Sequence, residues 1–359
     1  MVDVMEYISA KDAAVQWGIS QRRVAVFCSE NRVEGAQYVG NMWLIPKDIN
    51  KPDDARSLRF QPKTPSKVKP FLKWAGGKAQ ILENIRLKYP DELGKSITKY
   101  AEPFVGGGAV LFDILSNCSM SEVYISDINR ELIHTYKTIR DNIDELITML
   151  KTMEMKYQPA DDERRKNQFY SNRSQYNNIV RGKYKSVELA ALFIFLNKTC
   201  FNGLYRVNGK GEYNVPQGGY KNPCICDEDN LNAVSKALQR VQIKCCDYKK
   251  SKDFIDNNTF AYFDPPYRPL TETASFTAYT QDGFGDKQQI ELATFIDTMA
   301  ERGAFIAASN SDPTNTNSED TFFDKLYEQY KILRISATRA INSAGDKRGK
   351  INELLIANY

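Results

Sequence analysis

A chain of 359 residues is long enough for a full-sized α/β domain and one or two smaller ones. With 42% hydrophobic and 26% charged residues its composition is that of an ordinary soluble protein, and no apolar run approaches the ~18 residues of a membrane span. The net charge of +4 is modest, so its distribution says more than its size.

Basic residues gather in three places. From Arg56 to Lys78 there are seven of them and no acidic residue. A second cluster is Arg164, Arg165, Lys166, Arg173, Arg181, Lys183 and Lys185, and a third is Arg339, Lys347, Arg348 and Lys350. Three such patches, with Tyr and Asn interleaved in the second, point to a phosphate backbone as partner. Met1 to Ala10 holds two acidic residues and no basic start, unlike a signal peptide. The seven cysteines, an odd number, read as free thiols in a reducing cytoplasm. Neither Cys224-x-Cys226 nor Cys245-Cys246 has a zinc spacing and His134 is the one histidine, so no metal is expected.

Residues 1–55 read as a small front module. Ser9 with Asp12 three residues on forms a capping box for a helix to about Trp17. Gly18 breaks that helix, and Ser20 caps a second one from Gln21 to about Glu30. Gln37-Tyr38-Val39 and Met42-Trp43-Leu44-Ile45 flank Gly40-Asn41, a hairpin turn pair. The order Ser9-Ala-Lys-Asp-Ala-Ala, Trp17-Gly-Ile-Ser-Gln-Arg-Arg-Val and Trp43-Leu-Ile-Pro-Lys resembles winged helix-turn-helix domains of MerR and excisionase type. That resemblance implies DNA contact by Gln21, Arg22 and Arg23. Residues 56–69, proline-containing and basic, read as a linker.

The next stretch is a ligand cradle. In Phe71-Leu-Lys-Trp-Ala-Gly-Gly-Lys78 an aromatic, two glycines and a lysine let backbone approach a ligand closely, and a helix from Gln80 to Lys88 follows. Lys99–Ala101 reads as a strand, Gly106-Gly107-Gly108 as a loop and Ala109–Leu115 as a helix. A second strand, Glu122–Ser126, ends in Asp127, nineteen residues after Gly108 and placed to hold two ribose hydroxyls. Dinucleotide enzymes share this signal. The Gly-Gly-Gly-Ala spacing with a preceding Pro103 suits a cofactor without a phosphate, such as S-adenosylmethionine.

From 136 to 240 the αβ rhythm stops. Helical segments are expected around Ile143–Met155 and Ser186–Phe195, with the second basic cluster between them. Asn197 to Pro216 is loop chemistry, with aromatics, Asn and Arg on glycine hinges. Arg206 has the donors to read a guanine edge, and Phe201 the bulk to fill a gap left by an extruded base. Beyond 241 the sheet resumes with Val241–Lys244, Phe260–Phe263 and Ala304–Ala308, a helix over Asp286–Glu301, and a closing antiparallel pair, Lys331–Ser336 and Glu353–Asn358. About seven strands are expected, four of them ending in Asp127, Asp247, Asp264 and Asn310. The run Phe260–Phe263 ends in Asp264-Pro265-Pro266-Tyr267, which sets a carboxylate and a rigid carbonyl beside an aromatic face. That combination suits an exocyclic amine on a flat ring.

Together these motifs resemble the Dam-like DNA adenine N6-methyltransferases of the DpnII-type α-group, over about Pro70 to Tyr359. The resemblance implies an α/β, Rossmann-like fold that uses S-adenosylmethionine. Its methyltransferase domain would be split into 70–135 and 241–359 by a mostly helical target-recognition insert at 136–240. By carry-over, Trp74, Lys78, Glu102, Phe104, Gly106, Gly107, Gly108, Asp127, Ile128, Asp247 and Tyr248 would line the cofactor, and Asp264, Pro265, Pro266 and Tyr267 would be catalytic. Lys73 and Arg206 would read guanine, Leu204 and Pro216 would contact thymine, Phe201 and Asn202 would lie near the flipped base, and Asn208 would be a further DNA-binding residue. GATC in double-stranded DNA is the implied target. The same resemblance implies a cytoplasmic monomer in a restriction-modification or mobile-element setting, with a cognate endonuclease as candidate partner. Methylation of cytosine N4, RNA or a protein glutamine is the runner-up among enzymes. A DNA-binding regulator with a degenerate sheet is the alternative outside enzymes.

Overall fold

Ser9 starts the first helix as its spacing requires: its hydroxyl accepts from the Asp12 amide at 3.2 Å and donates to the Asp12 carboxylate at 2.6 Å. The structure is a computed structural model describing residues 6–30, 32–40, 42–52, 68–183, 185–268, 284–338 and 350–359. Asn41, residues 56–67 of the expected linker, and Arg339, Lys347 and Arg348 lie outside the described residues. The chain divides into two units, 1–66 and 67–359.

In the first unit strand β1 (Tyr7–Ser9) leads into α1 (Ala10–Trp17), which Gly18 ends in the left-handed region at φ 63°. Ser20 then caps α2 (Gln21–Ser29). Strands β2 (Gln37–Val39) and β3 (Met42–Pro46) form the expected hairpin, and β1 joins it in the antiparallel order β1-β3-β2. Three residues were too few to announce β1 by alternation. Ala13, Trp17, Val24, Phe27 and Ile45 make this unit's core.

The second unit opens with a 3-10 turn, Lys78–Gln80, and a short helix α3 (Leu82–Arg86), where a continuous helix over 80–88 was expected. Then come β4 (Lys99–Glu102), α4 (Ala109–Asn117), β5 (Glu122–Asp127) and α5 (Arg130–Asp141), which runs past the expected boundary at 135. The insert contributes α6 (Ile143–Tyr157), α7 (Asp162–Arg181) and α8 (Val187–Thr199), and α9 (Glu228–Leu238) returns the chain to β6 (Val241–Cys245). The remainder is β7 (Thr259–Phe263), α10 (Asp286–Glu301), β8 (Phe305–Ser311), α11 (Phe322–Leu326), β9 (Lys331–Thr338) and β10 (Lys350–Ala357).

Seven strands form one sheet in the order β6-β5-β4-β7-β8-β10-β9. The first five run parallel, and β10 is antiparallel to both neighbours. Successive residues of a strand face opposite sides. Tyr100, Val123, Ile125, Phe260 and Tyr262 therefore enter one core, and Ala101, Tyr124, Ala261 and Phe263 the other. Both faces are covered, which is why β7 is buried throughout. Strand order reverses between β4 and β7, and ligands of open α/β sheets bind at the carboxyl ends beside such a switch point.

The insert departed from the sequence reading in one respect and matched it in another. The basic stretch between the expected helices is itself the 20-residue helix α7, capped by Asp161, with Phe169 and Tyr176 as its buried stripe. Helix α8 is apolar on every side, with ten of thirteen residues buried, because it is the insert's central helix. Among the described residues no helix is long and apolar enough to cross a membrane.

Candidate active site

Asp264 follows β7 directly, and its Oδ1 lies 2.6 Å from Lys78 Nζ. Lys78 also donates to the Tyr267 hydroxyl at 2.7 Å and to the Gly76 carbonyl at 2.9 Å. The Tyr267 hydroxyl in turn donates to Glu353 Oε2 at 2.8 Å, and Lys78 Nζ is 3.8 Å from that same oxygen. Lys78 is 2% exposed, whereas the side chains of Asp264 and Glu353 keep 20% and 17%. The ammonium thus sits behind two carboxylates that reach the surface. Behind the prolines, Gln289 donates to the Pro266 carbonyl at 3.1 Å and accepts from Asn310 at 3.1 Å.

Burial raises the Asp264 carboxyl to about 6, although the Lys78 ammonium pulls it down. Glu102, at the end of β4, accepts from the Tyr100 hydroxyl at 2.7 Å. Burial raises it to about 8, the Tyr100 bond opposes this, and the Asp264 charge adds to it. The switch point therefore holds two carboxyls of different acidity.

Beside it lies the glycine loop. Gly106 and Gly108 have φ of 46° and 72°. A Cβ on Gly106 or Gly107 would lie 2.9 Å from the Trp74 side chain, and one on Gly108 would lie 2.5 Å from the Tyr136 hydroxyl. Asp127 closes the loop by accepting from the amides of Gly106 at 3.2 Å and Asn129 at 2.9 Å. Burial raises its carboxyl, and those amides oppose the rise. Phe104 stacks on Tyr248 at 5.2 Å, and the buried Tyr248 hydroxyl has no hydrogen-bond partner among the described residues. Ile128 is 52% exposed. Asp247 caps the turn that starts at Tyr248 by accepting from the Lys249 amide.

A third group of residues comes from the insert. Asn197, buried at the end of α8, accepts from the Lys73 amide at 2.9 Å and donates to the carbonyls of Lys73 at 2.7 Å and Gly203 at 2.9 Å. One side chain thereby joins the start of the catalytic unit to the loop after α8. Lys73 Nζ lies 4.5 Å from the centre of the Tyr220 ring. Phe201 is 51% exposed, and Asn202, Arg206 and Pro216 are exposed with it, while Leu204 is half-buried. Arg206 Nε donates to Asn214 Oδ1 at 2.8 Å. The Asn208 side chain is engaged within its own turn, accepting from the amides of Lys210 and Glu212 and donating to Glu212.

Residues 74–341 match the D12 class N6 adenine-specific DNA methyltransferase family. The chain belongs to that family. It is 49% identical over 294 residues to Type II methyltransferase M.MjaIII of Methanocaldococcus jannaschii, covering 81% of this chain and 99% of that protein. Type II methyltransferase M1.LlaDCHI of Lactococcus lactis subsp. cremoris is 35% identical over 294 residues, 81% of this chain and 96% of that protein. A DNA adenine methylase of Escherichia coli is 33% identical over 289 residues, 80% of this chain and 95% of that protein. The protein is an adenine-specific DNA methyltransferase.

Lys78, which sequence reasoning assigned to the cofactor, has its ammonium on Asp264 and Tyr267 in this methyltransferase. Sequence reasoning placed Glu353 at the head of a strand but not in the site. The available signal was a charged residue heading the apolar run Leu354-Leu355-Ile356-Ala357. The second basic cluster is partly structural: Arg165 donates to the carbonyls of Tyr157 and Gln158, Arg173 to that of Val215, and Arg181 to Glu212. In the first unit Gln21 and Arg22 are exposed, and the Arg23 guanidinium lies over the Phe27 ring at 4.7 Å.

The glycine loop yields a direct test of the methyltransferase fold. Gly108→Ala combines a positive φ with a clash against the fully buried Tyr136, whose hydroxyl donates to Gly106 at 3.1 Å. It is expected to cost about 1–3 kcal/mol of stability. Chemical unfolding measures this, and a variant as stable as the parent would show that the loop tolerates a side chain there.

Proposed function

We propose that this methyltransferase transfers a methyl group from S-adenosylmethionine to adenine N6 within GATC in double-stranded DNA, in the manner of the DpnII-type α-group. The observation that carries the reading is Asp264, followed by Pro-Pro-Tyr at the end of β7, a partly exposed carboxylate at the switch point of the sheet.

The cradle fits the cofactor. Gly106 to Gly108 give close backbone approach, Ile128 and Phe104 offer apolar faces, and the orphan Tyr248 hydroxyl lacks a partner. Trp74, Glu102, Gly107, Asp127 and Asp247 complete the set we assign to it. When bound, S-adenosylmethionine supplies a methyl group already activated on a sulfonium. Positioning and electrostatics therefore suffice for the protein's part. Asp264 and the Pro265 carbonyl each accept a hydrogen of the N6 amine, which favours a pyramidal nitrogen with an available lone pair. Pro266 keeps the loop in place through Gln289, and the Tyr267 ring stacks on the flipped base. Two carboxylates against one ammonium favour the positive charge that grows on N6.

Lys73 and Arg206 are the guanine readers in this reading, and Leu204 and Pro216 contact thymine. Phe201 and Asn202 stand beside the extruded base, and Asn208 belongs to the DNA-binding set. Residues 136–240 form the target-recognition insert between two parts of the methyltransferase domain. Residues 1–55 are a winged helix-turn-helix that touches DNA through Gln21, Arg22 and Arg23. Two relatives named Type II methyltransferases support a restriction-modification setting with a cognate endonuclease. The test is expression in a host lacking GATC methylation, followed by digestion of its DNA with a nuclease that cleaves only unmethylated GATC. Protection is expected. Complete cleavage overturns the GATC target, and methylation-resolving sequencing then reports the actual one.

A further inference from the structure

Glu353 enters the site from β10, the antiparallel strand that lies two strands away from β7. Its Oε2 accepts from the Tyr267 hydroxyl at 2.8 Å and lies 3.8 Å from Lys78 Nζ. Lys78 bridges onward to Asp264 at 2.6 Å. A chain of polar contacts therefore runs Glu353–Tyr267–Lys78–Asp264, with the ammonium buried in its middle.

We infer that Glu353 is a positioning residue for methyl transfer, fixing the Tyr267 ring through its hydroxyl and sharing Lys78 so that this ammonium does not neutralise Asp264. The inference deepens the reading above and rests on Asp264 being the acceptor of the N6 hydrogens. A phenol that both accepts from Lys78 and donates to Glu353 cannot swing away about its Cα–Cβ bond without breaking two bonds, so the position of its ring is fixed before any base arrives. Burial keeps the Tyr267 hydroxyl protonated, well above the ordinary phenol range, so it remains a donor.

The charged and titratable groups facing Asp264 are Lys78 from the 3-10 turn, Glu353 from β10, Glu102 from β4, and the hydroxyls of Tyr262 and Tyr267. Lys78 lowers the Asp264 carboxyl and Glu353 raises it. Glu102, raised to about 8, stays protonated across the acid range and does not move that limb. Activity needs ionised Asp264, so turnover is expected to fall as pH drops through about 6.

The test is single-turnover methylation of a duplex from pH 5 to 8.5, with cofactor binding measured alongside. In Glu353→Gln the raising charge is gone and Lys78 is left to Asp264, so the acid limb is expected to move down by ~0.5–1 pH unit. The plateau rate is expected to fall about tenfold with cofactor affinity retained. Tyr267→Phe keeps all three charges, so it should slow turnover while leaving the limb in place. An unmoved limb in Glu353→Gln, or an equal movement in Tyr267→Phe, overturns the inference. If Glu353→Gln loses its cooperative melting, Glu353→Asp carries the test. Withdrawing the carboxylate by one methylene should move the limb the same way by less, and no movement in a folded Glu353→Asp also overturns it. The two readings fail separately. An active Asp264→Ala enzyme removes the acceptor role itself, whereas an inactive one with an unmoved Glu353→Gln limb removes only the role of Glu353.

Discussion

Replacing Asp264 by alanine is expected to slow single-turnover methyl transfer by at least about 10³-fold while cofactor binding changes little. The amine of adenine is a poor nucleophile because its lone pair is delocalised into the ring, and in the proposed mechanism Asp264 supplies the charged acceptor that localises it. Among the described residues no neighbouring carboxylate is free to replace it. Glu353 is committed to Tyr267 and Lys78, and Glu102 to Tyr100. The proposed cofactor cradle draws on the glycine loop and the ends of β4, β5 and β6, so it is expected to survive the change. Stability should survive as well. Burial raises the Asp264 carboxyl from 3.8 to about 6, so its ionised form costs folding free energy that grows as pH rises through that window. The alanine variant escapes that cost, although Lys78 loses a partner. Rapid-quench transfer, cofactor titration and a melting curve check the three parts. Near-parental transfer in a folded variant would remove Asp264 from the chemistry.

Arg206→Ala is expected to reduce discrimination between GATC and a duplex altered at one guanine by about 10–100-fold. Arg206 is exposed on the loop after α8, and Asn214 holds its Nε, which orients the guanidinium fork before DNA binds. A pre-oriented fork suits the two acceptors of a guanine edge. A side chain that contacts only phosphate would instead lower affinity for every duplex alike and reduce its salt dependence. Comparison of kcat/KM on matched and altered duplexes, with binding measured at two salt concentrations, separates these outcomes. Equal losses on both duplexes would assign Arg206 to the backbone.

Short-range spacing carried much of the fold. The Ser9 and Ser20 caps, the Gly18 stop, the apolar run of β7 and the closing pair β9–β10 all depend on neighbours in sequence, and each was legible there. Helix α7 was not, because its surface is polar and its buried stripe is only two aromatics seven residues apart. Charge obscured its period, and three of its arginines turned out to bind the protein itself. Helix α5 straddles the expected start of the insert at 136, and α9, inside the expected insert, was not predicted.

The sequence alone determined the chemistry-bearing motifs: Asp264 to Tyr267 at a strand end, the glycine loop before Asp127, and a loop of aromatics and Asn with Arg206. Each is a contiguous run whose residue types limit what it can bind. Tertiary structure alone decided which of them share groups. Only the placement of β10 beside β8 brings Glu353 to a tyrosine 86 positions away in sequence, and only the packing of α8 lets Asn197 tie Lys73 to Gly203. The physical reason is that such contacts form at the edge where strands from remote parts of the chain end together, and no local period or propensity records them.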